Sequence, residues 1–172
     1  MATIYCSHKL STLLGLPKKP SKPPTAVDEP NNWNGMLFYL NKRKCLLFVH
    51  KETLYAFLVL GIVKKDLAEF PKFFRQHFTD QLIADQLINP QTKSLLDSAY
   101  ESITLQPTDN DKRVIGSMND CIYRIKVYVS LNEDGLLASP TYIGHQLNKT
   151  PMGAISYDLP VRRMKEFLEK SV

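Results

Sequence analysis

Hydrophobic positions change their spacing along this chain, and the changes predict an order of strands and helices. Between residues 36 and 60, three apolar runs rich in β-branched and aromatic residues are separated by short polar breaks, which predicts an antiparallel meander. The near-continuous hydrophobicity indicates that its central strand is covered on both faces. Apolar residues then recur at helical spacing from Phe70 to Leu87 and from Gln91 to Tyr100, which predicts two helices.

Shorter patterns predict elements on both sides of this centre. They are a strand at 3–6, a helix that Ser7 caps and Gly15 ends, a helix after the turn and potential cap at 108–111, weak strands at Tyr142–Leu147 and Met152–Ser156, and a last helix at 161–169. We therefore expect an α+β fold, with a small antiparallel sheet at about 36–60 packed by three to five helices.

A segment rich in proline and lysine interrupts the pattern at 17–30, where five of the eleven prolines lie. Such a composition predicts an extended arm rather than a second fold. Trp33 follows directly, and we expect this single tryptophan to anchor the chain where it re-enters the core. The length of 172 residues predicts one domain, 1–172, that includes the arm.

Positive charge is concentrated in the first half of the chain, although the whole chain has a formal charge of only +5. One basic cluster lies in the first turn of the meander, at Lys42, Arg43 and Lys44. A basic face can meet phosphate or an acidic protein, so nucleic acid is a possible partner of this half. The alternative is that lysines in turns and linkers only keep the protein in solution.

The composition also indicates where the protein resides. Three cysteines without close pairing argue against a disulfide framework, and the amino terminus lacks the pattern of a secretory signal. The longest apolar run, 54–63, is about half as long as a membrane-spanning helix requires. We expect a soluble, cytoplasmic protein that does not contact a membrane.

The candidate functional residues lie at the start of the helix that follows 108–111. Its apolar face is interrupted by small and polar residues, and Arg113, Ser117 and Asp120 share one side, with Asn119 on the neighbouring face. Guanidinium, hydroxyl and carboxylate groups beside a helix amino terminus can bind phosphate or ribose. The alternative is structural: Asn119 and Asp120 satisfy buried backbone groups, and Gly116 permits tight packing of helix on strand.

Other chemistries have weaker support in the sequence. Cys6, His8, Cys45 and His50 do not match the spacing of a zinc site, so we expect no metal. Phosphate-binding loops, dinucleotide-binding glycines and His-Glu-x-x-His are all missing from the sequence, so we expect no cofactor. A ribonuclease-like mechanism needs only a base and a cation, for which His8, His50 or His145 with Arg113 stay candidates.

Three segments resemble an uncharacterised family of small bacterial proteins, a domain of unknown function. They are Ile4–Leu10 leading to Leu14-Gly15-Leu16, Asn41–Val49 followed by Thr53-Leu54, and the Gly-Ser-Met-Asn-Asp motif within Ile115–Asp120. The resemblance implies a bacterial protein with relatives on plasmids and other mobile DNA. It implies no activity and therefore no catalytic residue.

Two hypotheses about function follow. The first is a non-catalytic interaction or regulatory module in a plasmid, phage or defence context, which acts by protein–protein contact. The second is an enzyme that acts on nucleic acid or nucleotide, such as a toxin-like ribonuclease, with its pocket at residues 113–120. The missing catalytic signature favours the first hypothesis.

Overall fold

The computed structural model describes residues 1–19, 30–131 and 139–171, and its strands form one five-stranded mixed sheet. The strands are β1 (Ala2–Cys6), β2 (Asn32–Leu40), β3 (Arg43–His50), β4 (Ala56–Val59) and β5 (Ile103–Pro107), in the order β4-β3-β2-β1-β5. β2, β3 and β4 pair antiparallel, so the predicted meander is confirmed. β1 is parallel to both β2 and β5 and extends the sheet beyond the meander.

Six α-helices pack on this sheet within the described ranges, and the α+β fold class is confirmed. They are α1 (His8–Leu14), α2 (Phe70–Ala84), α3 (Pro90–Ala99), α4 (Lys112–Leu131), α5 (Pro140–Asn148) and α6 (Pro160–Ser171). Ser7 and Gly15 delimit α1 as predicted: the Ser7 hydroxyl accepts a hydrogen bond from the Leu10 N–H, and Gly15 ends the helix in the left-handed region. None of the helices in the described ranges is long and apolar enough to cross a membrane.

The sequence prediction was wrong for the two weak strands after α4, whereas the last helix, predicted at 161–169, is confirmed by α6. The segment Tyr142–Leu147 lies within helix α5, because Pro140 suits a first helical turn and Ile143 and Leu147 are buried one turn apart. In the segment Met152–Ser156, only Met152 makes a single β-bridge, to Asp158, and a short 3-10 turn follows at Gly153–Ile155. Strand β5 was not predicted, because its five residues owe their strand structure to pairing with β1.

Helices cover the sheet on both faces and enclose two hydrophobic cores. α1, α2, α3 and α6 bury one face, on which Leu46 and Phe48 of β3 lie, and α4 and α5 bury the other, on which Cys45 and Leu47 lie. Both faces of the central strand are therefore covered, as its hydrophobicity predicted.

Trp33 anchors the first of these cores, as expected from its position. The side chain is fully buried, and its indole N–H donates to the Tyr100 hydroxyl at 2.9 Å. The rings of Phe57, Phe74 and Phe78 meet the indole edge-on, with centroids 4.8–5.5 Å away. This contact joins β2 to β4, α2 and the residue that ends α3. The predicted arm at 17–30 lies largely outside the described residues, so its conformation stays a prediction.

His50 fixes the point at which the chain enters β2. Its ring is fully buried against Trp33, Nε2 lies 2.8 Å from the Pro30 carbonyl oxygen and Nδ1 lies 3.0 Å from the Thr53 hydroxyl. The Thr53 backbone N–H also donates to Nδ1. Nδ1 is thus an acceptor and Nε2 a donor, which defines a neutral imidazole. Burial lowers the pKa of His50 to about 4, although the Pro30 carbonyl opposes the shift.

This histidine makes the stability of the fold depend on pH. Between its ordinary pKa of 6.5 and about 4, the unfolded chain binds a proton at residue 50 that the folded chain does not bind. The contribution is fully present above pH 6.5 and is lost as pH falls through this window, about 3 kcal/mol in all. Urea unfolding across this pH range measures the loss. In His50→Gln this component should be missing, and an equal pH dependence in both proteins would contradict the assignment.

Candidate functional site

The candidate residues of α4 line a shallow depression on the surface of the protein. One stripe of the helix, Arg113, Gly116, Ser117, Asp120 and Arg124, faces the segment Pro151–Ala154 across a volume of about 280 Å³. We call this feature the α4 depression. Three of the four polar candidates meet there, as their spacing predicted. The fourth, Asn119, is exposed on the neighbouring face and does not line the α4 depression.

The polar groups of the α4 depression find partners within the chain. The Ser117 hydroxyl donates to the Arg113 carbonyl one turn earlier, at 3.0 Å, and the Asp120 carboxylate pairs with Arg124 at 3.0 Å. The Arg113 guanidinium donates to the backbone carbonyl of Lys51. Asn119 and Asp120 do not satisfy buried backbone at the sheet edge, because both are exposed.

The amino terminus of α4 is occupied by a side chain of the chain itself. One carboxylate oxygen of Asp111 accepts hydrogen bonds from the backbone N–H groups of Arg113, at 3.1 Å, and Val114, at 3.3 Å. These N–H groups are the donors that a bound phosphate would need. The capping carboxylate also places negative charge where a phosphate would lie.

Ionic contacts fasten this capped helix end to the sheet. The Lys51 ammonium, just after β3, bonds to Asp109 and lies 3.4 Å from Asp111, while Asn34 of β2 donates to Asp109 at 3.3 Å. Burial alone would raise the pKa of Asp109, but the hydrogen bond and charge of Lys51 outweigh it, and the pKa lies below its ordinary value. Likewise, burial would lower the pKa of Lys51, and the two carboxylates raise it instead.

Gly116 is the exception, because it serves no contact within the described chain. A Cβ atom built at this position would meet no heavy atom within 4 Å, and the backbone is ordinary helix. The structural hypothesis that Gly116 permits tight packing of helix on strand is therefore wrong. Glycine inside a helix costs about 1 kcal/mol relative to alanine. Gly116 therefore lowers the stability of α4 without improving the packing of the described residues.

The second set of candidate residues lies elsewhere. Lys42 lies in the turn between β2 and β3, and Arg43 and Lys44 are the first residues of β3, whereas Arg113 reaches Lys51 beyond the far end of β3. Seven residue steps along the strand separate Lys44 from Lys51, which corresponds to about 23 Å. The basic turn and the α4 depression are thus two distinct surfaces.

None of the four histidines lines the α4 depression. His8 is exposed on α1, His50 is fully buried, and His145 contacts Asp85. Cys6 and Cys45 belong to the cores on opposite faces of the sheet, so they do not converge with His8 and His50. Among the described residues, no group of three or more His, Cys, Asp or Glu side chains is placed to hold a metal ion.

A buried carboxylate that the sequence analysis missed links α2, α5 and the residue that precedes β4. Asp85 ends α2, its side chain has no exposed surface, and its Oδ2 accepts from Tyr55 Oη at 2.5 Å, Asn148 Nδ2 at 3.0 Å and Gln81 Nε2 at 3.2 Å. Its Oδ1 lies 2.5 Å from His145 Nδ1. Burial, and then the charge of Asp85, raise the pKa of Tyr55 well above its ordinary range.

Asn148 also completes the hydrogen bonding of the edge strand β4. Its side-chain oxygen accepts from the Ala56 N–H at 2.8 Å, and its amide nitrogen donates to the Ala56 carbonyl at 2.9 Å. A signal for the whole cluster was present in the sequence, since Gln81 and Asp85 continue the buried stripe of Phe74 and Phe78 on α2. Polar residues at apolar stripe positions indicate a buried network.

The protein is an α+β protein with a mixed sheet, the capped helix α4 and a shallow depression beside that helix. A family model described as a domain of unknown function, DUF6933, matches residues 3–163, and the chain belongs to this family. No curated protein and no solved structure shows a significant match.

One prediction from this geometry concerns the buried carboxylate of Asp85. Asp85→Ala leaves several buried donors without an acceptor, and we expect the free energy of unfolding to fall by about 3–5 kcal/mol. Asp80→Ala is the control, because Asp80 is exposed on the same helix and should change stability by about 0.5 kcal/mol or less. Urea titration compares them, and equal effects would show that Asp85 has no structural role.

Another prediction concerns Gly116 in the α4 depression. Gly116→Ala should raise the free energy of unfolding by about 1 kcal/mol, because it adds helix propensity without a clash. Gly144→Ala on α5 is the matched control: its Cβ would overlap the Gln81 side chain, so this variant should be destabilised. Thermal and urea unfolding measure both. A loss of stability in Gly116→Ala would mean that the chain itself requires the glycine.

Proposed function

We propose that this protein is a non-catalytic interaction module that binds a partner protein at the α4 depression. The observation that supports the proposal is Gly116, which opens the surface of α4 to approach from outside while no packing inside the chain requires it. Residues that reduce stability without an internal role are common where function requires them. A glycine on an exposed helix lets a partner's backbone come closer than any other residue allows.

The side chains around the α4 depression suit a protein interface. Tyr123 follows Asp120 by about one turn of α4, outside the lining of the depression, and is 68% exposed. Tyr157 lies next to Gly153 and is 77% exposed. Tyrosine and arginine are enriched at the centres of protein interfaces, and Arg113 and Arg124 line the depression. Ser156 and Tyr157 have positive φ values of 56° and 60°, a backbone conformation that residues with a side chain rarely adopt. In this conformation the Tyr157 side chain is exposed.

The alternative, an enzyme that acts on nucleic acid or nucleotide through residues 113–120, has less support. Its phosphate site requires free N–H groups at the start of α4, and Asp111 accepts hydrogen bonds from two of them. Its reaction requires a base, and the histidines lie away from the α4 depression. Arg113 donates to the Lys51 carbonyl, and Asp120 pairs with Arg124. Our proposal of an interaction module also includes a bacterial setting, a plasmid, phage or defence context, and a cytoplasmic location.

The test is retention of a partner by matched variants of α4. Tagged wild-type protein, Gly116→Gln and Asn119→Gln are purified from extracts of the organism that encodes the chain, and the bound proteins are identified. Both positions are exposed on α4, but only residue 116 lines the α4 depression. We expect a stoichiometric partner with wild type and Asn119→Gln that is lost in Gly116→Gln, with all three proteins equally folded by circular dichroism.

Titration of the identified partner with each purified protein then measures the effect on affinity. A glutamine side chain in the depression should weaken binding about tenfold or more, which is the effect of losing one well-packed contact. A partner that Gly116→Gln retains with unchanged affinity would contradict the proposal.

A further inference from the structure

The fold brings separate basic segments of the sequence together at the hairpin end of the sheet. We call this the basic surface: Lys9, the turn at 42–44, Lys64 with Lys65, and Lys72, all exposed. It lies at the end of the sheet opposite Lys51, so it is separate from the α4 depression. The sequence alone did not join these segments, because more than sixty residues separate its first lysine from its last.

Antiparallel pairing explains why the basic segments meet. β3 begins at Arg43, and β4 runs back beside it, so the chain after β4 returns to the start of β3. The Ile62 N–H donates to the Lys44 carbonyl at 2.9 Å, and the aliphatic part of Arg43 lies beside Gly61, within 3.9 Å of a Cβ built there. Lys64 and Lys65 follow immediately and extend the charge of the turn.

Few carboxylates compensate this charge. Asp66 and Glu69 are the acidic residues of the surface: Asp66 accepts from the Val63 N–H at 2.8 Å, and Glu69 pairs with Lys72 at 3.4 Å. Among the described residues, no other ion pair involves a cation of the basic surface. Seven basic and two acidic side chains give it a formal charge of +5, which equals the charge of the whole chain.

The turn itself keeps a lysine where the backbone favours glycine. Asn41 and Lys42 are its two central residues, with φ of 46° and 65°. Two-residue hairpins with both φ values positive strongly prefer Asn-Gly, because a side chain opposes this conformation at the second position. A lysine at residue 42 therefore weakens the hairpin and adds a cation to the basic surface.

A groove and an aromatic side chain complete the surface. The groove has a volume of about 580 Å³, runs beside Gly61, and is lined by Asp66 and Glu69 as well as by Lys65 and Lys72. The uncompensated charge therefore lies outside its lining, in the turn and at Lys64 and Lys9. Tyr39 pairs with Lys44 across β2 and β3, is 43% exposed, and has the Lys9 ammonium 5.9 Å from its ring centre. Exposed aromatic rings among lysines can stack on unpaired bases.

We propose that the basic surface binds single-stranded nucleic acid through its phosphodiester backbone, with a base free to stack on Tyr39. Lysines act as flexible point charges that suit successive phosphates and give little sequence preference. The uncompensated charge favours a regularly charged polymer over a protein with scattered carboxylates. Stacking on the exposed Tyr39 ring requires an unpaired base, which favours a single strand over a duplex. This inference does not depend on the partner proposed for the α4 depression, and either can fail alone.

Fluorescence anisotropy of labelled oligonucleotides of about 16 nucleotides tests the proposal, with single-stranded RNA, single-stranded DNA and duplex DNA as separate arms. Wild type is compared with Lys42→Gln/Arg43→Gln/Lys44→Gln and with Lys126→Gln/Lys149→Gln/Lys165→Gln. The control replaces three exposed lysines elsewhere and changes the net charge equally. Measurements at about 50 mM and about 200 mM salt give the number of phosphates contacted.

We expect wild type to prefer a single strand over the duplex, and the turn variant to bind at least about tenfold more weakly at the lower salt. The slope of log K against log salt should become shallower by about 2 in the turn variant, since each lost contact removes about 0.7. The control variant should match wild type. Lys42→Gly supplies a second comparison, because it should raise the melting temperature and still weaken binding.

Three results would overturn the proposal. They are no binding by wild type at the lower salt, equal losses in the turn variant and the control variant, and a polyglutamate peptide that binds as tightly as the oligonucleotides with the same dependence on the turn. The last result would assign the basic surface to acidic proteins.

Discussion

The insertion of β1 between β2 and β5 determines where the second half of the chain lies. Its two parallel ladders place the end of β5 beside the first residues of β2, next to the end of β3. Asp109, which follows β5, thereby reaches Asn34 and Lys51. From this point α4 runs across β2 and β3. A short strand of five residues thus determines the position of the longest helix and of the depression beside it.

Local patterns made the first two thirds of this fold predictable. The meander, the capped helix α1, the anchor at Trp33 and the start of α4 all depend on residues close together in the sequence, such as Ser7 with Leu10. The failures have two causes. β5 is a strand because β1, which is distant in the sequence, lies beside it. The segment at 142–147 contains too few residues for its helical period to stand out from a strand pattern.

The candidate site was predictable in part for the same reason. Helical spacing correctly placed Arg113, Ser117 and Asp120 together, and the turn at 108–111 was a potential cap, as Asp111 confirms. The sequence could not show that Arg113 donates to the Lys51 carbonyl. Asp111 and Lys51 reduce the capacity of the site to bind phosphate, because they bond to the N–H groups of α4 and to the Arg113 guanidinium. The clustering of Lys42–Lys44 with Lys64 and Lys65 was also hidden, since it arises from the pairing of β3 with β4. The position of Asp85 on the buried stripe of α2 could be read from the sequence, but its donors Tyr55 and Asn148 could not, because they lie far from it along the chain.

Asn148 has a consequence for how the protein behaves at high concentration. A sheet ends in strands whose unpaired N–H and C=O groups can recruit another chain, and this is a common route to aggregation. β4 is such a strand. It is strongly hydrophobic, and it has no charged residue to repel a strand of another chain. The Asn148 amide occupies both backbone groups of Ala56, as a neighbouring strand would. One side chain from α5 therefore closes the start of this edge and prevents the sheet from growing there into a polymer.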